Sequence, residues 1–238
     1  MKKDIWGSCA YTVSLITLDH CNLESQIRIL ERGGVELLHV DILDGHFSPS
    51  MPLGLETVRQ LRDRTDMAFD CHIMTDPQDY FIDELLDIGV QQIVFHAETQ
   101  RHIDGMLNRI HARGVRAGVA LKPSTPLSTL EYVLEKCDSV LLMLINPGFA
   151  SAKNETQVPY ADRKIRELRE MIDARSLDTR ISLDGRISRE NIRSWGAGEA
   201  DQFVLGSTCL RRRELEQSLA EMISLREEVL KKGAERDG

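Results

Sequence analysis

The feature that most constrains this chain is a regular alternation. Short apolar runs of strand length are followed, again and again, by longer stretches of helical periodicity. Residues 11–16 form a β-type run, after which Leu23, Ile27 and Leu30 recur at helical spacing before a stop at Gly33-Gly34. A second strand opens at Leu37, and its helix holds Leu55, Val58 and Leu61. Residues 67–73 precede a helix around 80–86 that stops at Gly89, and residues 91–96 precede 103–110, stopping at Gly114. Residues 116–121 are followed by a helical pattern over 127–134, and 139–145 by a long polar loop and a helix from about 160 to 174. Residues 180–184 precede a short helix near 189–195. The last strand, 202–205, precedes a long amphipathic helix with Leu215, Leu219, Met222, Ile223, Val229 and Leu230 on one face.

Eight such units, spaced by roughly 25 to 30 residues, predict a (β/α)8 TIM barrel, a fold that takes about 250 residues. The 238 residues then form one domain over 1–238, with a polar, frayed tail from about residue 232. A doubly wound open sheet fits less well, because no GxGxxG follows the first strand. The net charge of −8, with no basic stripe beyond residues 211–213, argues against a nucleic-acid surface. No N-terminal stretch resembles a signal peptide, and no run approaches the roughly 20 apolar residues of a membrane span, so a cytoplasmic protein is expected. Five cysteines without any CxxC pair (Cys9, Cys21, Cys71, Cys137, Cys209) suggest buried free thiols rather than a disulfide framework or a cysteine zinc site.

Residues 37–49, LLHVDILDGHFSP, carry the densest chemistry. On a strand His39 and Asp41 point the same way, while Leu38, Val40 and Ile42 point the other. A buried His–Asp ion pair would explain the two residues alone as well as a ligand set does. In a barrel, however, reactive groups come from the C-terminal ends of different strands, and here those ends are polar. They offer Ser14, then His39 and Asp41, then Asp70, His72 and Met74, then Met143 before Asn146-Pro-Gly-Phe, then Asp184-Gly-Arg, then Gly206-Ser207. Two histidines and two carboxylates from strands two, three and seven can converge. Such a set suits zinc, manganese or iron(II) better than magnesium or calcium.

The ordered series HVDILDGHFSP, DCHIM, MLINPGF, SLDGR and VLGS resembles the ribulose-phosphate 3-epimerase family, whose members interconvert ketose phosphates epimeric at C3. Ser14 with Asp19 and Asn22-Leu23, His96 with Glu98, and Pro123 with Thr125-Pro126 extend the likeness nearly end to end. The resemblance implies a (β/α)8 barrel and an isomerase of pentose phosphate metabolism. It implies one divalent metal ion held by His39, Asp41, His72 and Asp184, with Asp41 and Asp184 as the acid/base pair. Ser14, Met74 and Met143 would line the substrate pocket, although core packing alone would account for the methionines. Gly148, Gly185, Gly206 and Ser207, on the loops after the last strands, would receive the phosphate. The chemistry agrees. A C3 proton beside a C2 ketone is removable only if the enediolate is stabilised, as a Lewis acid does, and inversion needs one acid/base group on each face.

Some positions depart from the family's pattern. Pro-Gly-Phe is usually followed by Gly-Gly-Gln, whereas here residues 150–157 read ASAKNETQ and the loop is about three residues longer. A paired glycine becomes Gly185-Arg186, where the arginine is either a surface residue or a bidentate phosphate grip. Leu43 replaces a methionine and Ser50 an asparagine. D-ribulose 5-phosphate is the default substrate, and the altered loops admit a relative acting on a hexulose phosphate such as allulose 6-phosphate, or on a rarer pentulose or tetrulose phosphate. A lyase or decarboxylase of the related phosphate-binding barrels is disfavoured, because those use Asp-x-Lys-x-x-Asp and no lysine follows Asp41. A non-catalytic phosphosugar-binding protein would have no use for the complete ligand set. The expected partners are the phosphorylated ketose and further copies of the chain in a homo-oligomer, with neither nucleic acid nor membrane.

Overall fold

The structure, a computed structural model, describes residues 4–149 and 152–235. Among these, eight parallel strands pair in chain order and the last closes on the first. They are β1 (Ala10–Ser14), β2 (Leu37–Leu43), β3 (Ala68–Met74), β4 (Gln92–His96), β5 (Arg116–Leu121), β6 (Ser139–Met143), β7 (Arg180–Asp184) and β8 (Gln202–Leu205). The helices around them are α1 (Leu23–Arg32), α2 (Leu55–Arg62), α3 (Asp79–Ile88), α4 (Ile103–His111), α5 (Ala161–Ala174), α6 (Arg189–Trp195) and α7 (Leu215–Ala234). This is the expected (β/α)8 barrel. Helix α7 reaches Ala234, past the expected start of the tail, and residues 236–238 lie outside the described residues. Among the described residues no helix is long and apolar enough to cross a membrane. Cys21 is exposed, whereas the other four cysteines are buried, and all are free thiols.

One connection differs from the expectation. The leucine spacing over 127–134 predicts a helix, but the chain forms two 3-10 turns, Leu127–Leu130 and Leu134–Lys136. Leu127, Leu130 and Leu134 are buried as the spacing requires, yet Ser128, Thr129, Tyr132 and Val133 are weak helix formers between them. Side chains from elsewhere take up carbonyls before and between these turns. Lys164 Nζ donates to the carbonyls of Lys122, Pro123 and Thr125 at 2.8–2.9 Å, and Arg175 donates to that of Glu131 at 2.8 Å.

The strands divide their residues between two environments. Leu38, Val40, Ile42, Phe69, Cys71 and Ile73 face outward and pack with Leu30, Leu85, Ile110 and Leu168 of the helices. Inside the barrel, Val94, Ala120, Leu141 and Met143 form a small apolar wedge. Much of the remaining interior is polar and buried, with Ser14, His39, Asp41, Asp70, His72, Gln92 and His96 among its residues. A barrel interior ordinarily holds bulky branched apolar side chains, so each of these polar groups needs a partner inside the protein.

Candidate active site

The barrel register sets the polar residues side by side. His39 lies opposite Asp70 and Asp41 opposite His72 across β2 and β3, and Met143 lies opposite Asp184 across β6 and β7. Asp41 is the centre of the group. Its Oδ2 accepts the Ser14 hydroxyl at 3.1 Å, and its Oδ1 lies 3.2 Å from His39 Nε2 and 3.3 Å from His72 Nδ1. Asp184 reaches the same place from β7. One ligand atom from each of His39, Asp41, His72 and Asp184 lies within 4.8 Å of all the others.

Both imidazoles are held from behind. His39 Nδ1 donates to Asp70 Oδ2 at 2.9 Å, and Asp70 Oδ1 accepts from Gln92 Nε2 at 2.8 Å. His39 Nε2 is then buried without a hydrogen bond of its own, aimed into the cluster. A rear nitrogen on a carboxylate and a front nitrogen left to a ligand is how metal-binding histidines are oriented, so the four residues could hold a divalent ion. Behind His72, Nε2 lies 3.0 Å from His96 Nε2, and His96 Nδ1 lies 2.8 Å from Glu98 Oε2. Phe47 packs on His96 with 4.8 Å between ring centroids, and Lys122 Nζ sits 4.1 Å above the Phe47 ring.

The two carboxylates are pushed in opposite directions. Burial alone would raise Asp41, but the charge of His39, 3.2 Å away, outweighs it and holds Asp41 well below the usual carboxylate range. Asp184 is raised, first by burial and then by the charge of Asp41. His39 is raised well above the ordinary imidazole value, because Asp41 and Asp70 together outweigh its burial. Burial dominates at His96 and pushes it down to about 4, leaving a neutral ring. A cleft in which two carboxyls are pushed apart in acidity, beside a set of groups that could hold a cation, is suited to proton transfer.

A family model described as the ribulose-phosphate 3 epimerase family matches residues 11–210. The chain belongs to that family. The ribulose-phosphate 3-epimerase of Buchnera aphidicola subsp. Acyrthosiphon pisum is 36% identical over 195 residues, 82% of this chain and 84% of that protein. The Escherichia coli K12 enzyme of the same name is 33% identical over 212 residues, covering 89% of this chain and 93% of its own. Among solved structures, a 3-keto-L-gulonate-6-phosphate decarboxylase from Vibrio cholerae superposes with a TM-score of 0.66 at 13% identity, covering 93% of this chain and 99% of that one, which shows a shared fold.

The remaining positions that the ribulose-phosphate 3-epimerase motifs single out lie at strand ends or in the loops that follow them. Met74 and Met143 are buried at the ends of β3 and β6. Gly148 has φ 83°, and a Cβ there would stand 2.0 Å from Ser48 Oγ, so glycine is what allows the loop after β6 to touch the loop after β2. Gly185 has φ 114°, and a Cβ there would meet Ile145 N at 2.9 Å. Gly206 and Ser207 begin the turn after β8, where Ser207 is exposed. Arg186, left-handed at φ 52°, sends Nη2 to the carbonyl of Ala152 at 2.7 Å. Of the unusual loop 150–157, Ala150 and Ser151 lie outside the described residues. Its second half is bolted down: Glu155 Oε1 accepts from Asn146 N and Nδ2 at 2.6 and 2.9 Å, and Gln157 Nε2 lies 2.8 Å from the carbonyl of Gly185. Sequence reasoning found no part for Glu155, Gln157, Phe47 or Lys122, because nothing in their spacing announces contacts made between loops.

Proposed function

We propose that this chain inverts the configuration at C3 of a ketose phosphate, with Asp41 and Asp184 moving the proton and D-ribulose 5-phosphate as substrate. The observation that carries the reading is the pair itself: two carboxyl groups from strands on either side of β1 and β8, converging on one cluster and pushed in opposite directions in acidity. Asp41, ionised, takes the C3 proton from one face. Asp184, carrying a proton, delivers it to the other, and the reverse reaction exchanges the two roles. Ser14, donating to Asp41 Oδ2, fixes the orientation of that carboxylate. His39, Asp41, His72 and Asp184 would hold zinc, manganese or iron(II), which when bound supplies Lewis-acid stabilisation of the charge developing on the C2 and C3 oxygens. Met74 and Met143 would wall the planar intermediate, and the backbone at Gly148, Gly185, Gly206 and Ser207, with Arg186, would face the phosphate. A homo-oligomeric enzyme working in the cytoplasm completes this reading.

The decisive experiment offers a panel of ketose phosphates to the protein in deuterium oxide and follows C3 by NMR, with elemental analysis of the same preparation. Deuterium at C3 of D-ribulose 5-phosphate, accompanied by formation of the xylulose epimer, is expected. Exchange with a hexulose or tetrulose phosphate alone would reassign the substrate, and no exchange with any of them would overturn the reading. Active protein free of divalent metal would remove the ion from it.

A further inference from the structure

The two histidines of the cluster are held from behind in different ways. His39 leans directly on the Asp70 carboxylate, whereas His72 leans on a second imidazole, His96, which leans in turn on Glu98. The polarity of that second chain is set at its far end. Glu98 Oε1 accepts the backbone N–H of Lys122 at 2.7 Å and the hydroxyl of Thr125, while Oε2 faces His96 Nδ1 at 2.8 Å. A carboxylate offers lone pairs only, so His96 must place its proton on Nδ1. Its Nε2 is then a bare acceptor, 3.0 Å from His72 Nε2, and two ring nitrogens at that distance need one proton between them. That proton belongs to His72, so Nδ1, which lies 3.3 Å from Asp41 Oδ1 and is turned toward Asp184, is the nitrogen left for a cation to take.

We propose that Glu98, acting through His96, is a positioning residue that fixes the tautomer in which His72 offers Nδ1 to the metal. The inference rests on the reading that the His39, Asp41, His72 and Asp184 cluster binds a divalent ion. It adds that a residue with no contact to the cluster decides whether one of the four ligands is available.

The chain of reasoning makes Glu98→Gln a sharp test, because the substitution is isosteric and reverses the polarity. The Lys122 N–H still demands an acceptor, so the new amide would turn its carbonyl there and its NH2 toward His96 Nδ1. His96 would then carry its proton on Nε2 and donate it to His72 Nε2, which moves the His72 proton to Nδ1, the nitrogen the metal needs bare. Zinc affinity, measured by competition with a chromophoric chelator, should fall about 10- to 100-fold, the usual effect of losing an outer hydrogen-bond partner of a metal-bound histidine. In the metal-free protein, long-range proton–nitrogen correlation spectra of labelled imidazoles, assigned with the His96→Gln variant, should show His96 changing from Nδ1–H to Nε2–H. His96→Gln provides the rescue: its amide can donate to Glu98 and present a carbonyl to His72, so it should bind zinc close to wild type while His96→Leu does not. Unchanged zinc affinity with an unchanged His96 tautomer in Glu98→Gln would overturn the positioning role. Wild-type protein that takes up no zinc, manganese or iron(II) would instead overturn the metal reading on which it rests.

Discussion

Asp41 and Asp184 stand on strands that do not touch, yet both carboxylates reach the same nitrogen: His72 Nδ1 lies 3.3 Å from Asp41 Oδ1 and 3.9 Å from Asp184 Oδ2. Their difference in acidity follows from their partners rather than from their depth. Asp41 has Ser14, His39 and His72 around it, whereas Asp184 meets the negative charge of Asp41 itself. Two identical functional groups thereby acquire two roles.

Replacing either member of the pair should therefore abolish most turnover while leaving the barrel folded. Asp184→Asn and Asp41→Asn are each expected to lower kcat by about 10²- to 10⁴-fold, the usual contribution of a general acid or base. Circular dichroism of the variants should match the parent. Near-normal turnover in either would remove the two-carboxylate scheme.

Arg186 spans the gap between the loops after β7 and β6 by donating to Ala152, at the end of the barrel where the phosphate is proposed to lie. If its guanidinium also meets the phosphate, Arg186→Ala should weaken binding of the phosphorylated ketose by about 1.5 to 3 kcal/mol, the range for hydrogen bonds to charged groups, and barely affect a non-phosphorylated analogue. Calorimetric titration with both ligands separates the cases. Equal losses on the two would confine Arg186 to holding the loop.

Lys164 is buried on α5 with its ammonium on three carbonyls of the connection after β5. Lys164→Met keeps the aliphatic stem and strands those carbonyls. Urea denaturation should show a loss of roughly 2 to 4 kcal/mol, because abandoned buried acceptors cost more than the average hydrogen bond contributes. A loss below the error of the fit would mean that water replaces the ammonium without cost.

A pH signature should come from Glu98, whose carboxyl is held down to about 2. Burial opposes ionisation there, but the hydrogen bonds from His96, Thr125 and the Lys122 amide outweigh it. A carboxyl depressed in the folded state adds stability above its unfolded value near 4.5, and that contribution fades as the pH falls toward 2. The stability difference between the parent and Glu98→Gln should thus shrink by about 1 kcal/mol on going from pH 6 to pH 3.5. A difference independent of pH over that window would show that the carboxyl is not depressed.

The parts of this molecule legible in its sequence are those governed by local rules. Alternation by two put His39 with Asp41 and Asp70 with His72, and the barrel rule put their strand ends together with Asp184. What the spacing could not supply was register. That Asp70 sits behind His39, not among the four clustered residues, depends on which residue of β3 pairs with which of β2, and Asp70 and His39 are 31 apart in the chain. Lys164 reads as one more polar residue on an amphipathic helix, since its burial is decided by where residues 122–125 pass over it. The leucines of 127–134 reported burial correctly but not helix, because apolar periodicity records which side chains point inward and leaves the backbone's hydrogen bonds to propensity and neighbours.

The division of the barrel interior has a consequence for anyone redesigning this protein. At Val94, Ala120 and Leu141 the packing is apolar, and volume-conserving exchanges there should be tolerated as they are in other cores. Around His39, Asp70, Gln92, His72, His96 and Glu98 only exchanges that keep both the donor and the acceptor of the residue replaced have such latitude, since any other leaves a neighbour with a proton it cannot place or a lone pair it cannot use. A stability-directed library should therefore concentrate on the wall formed by the middle strands and treat the linked histidines as a single inherited unit.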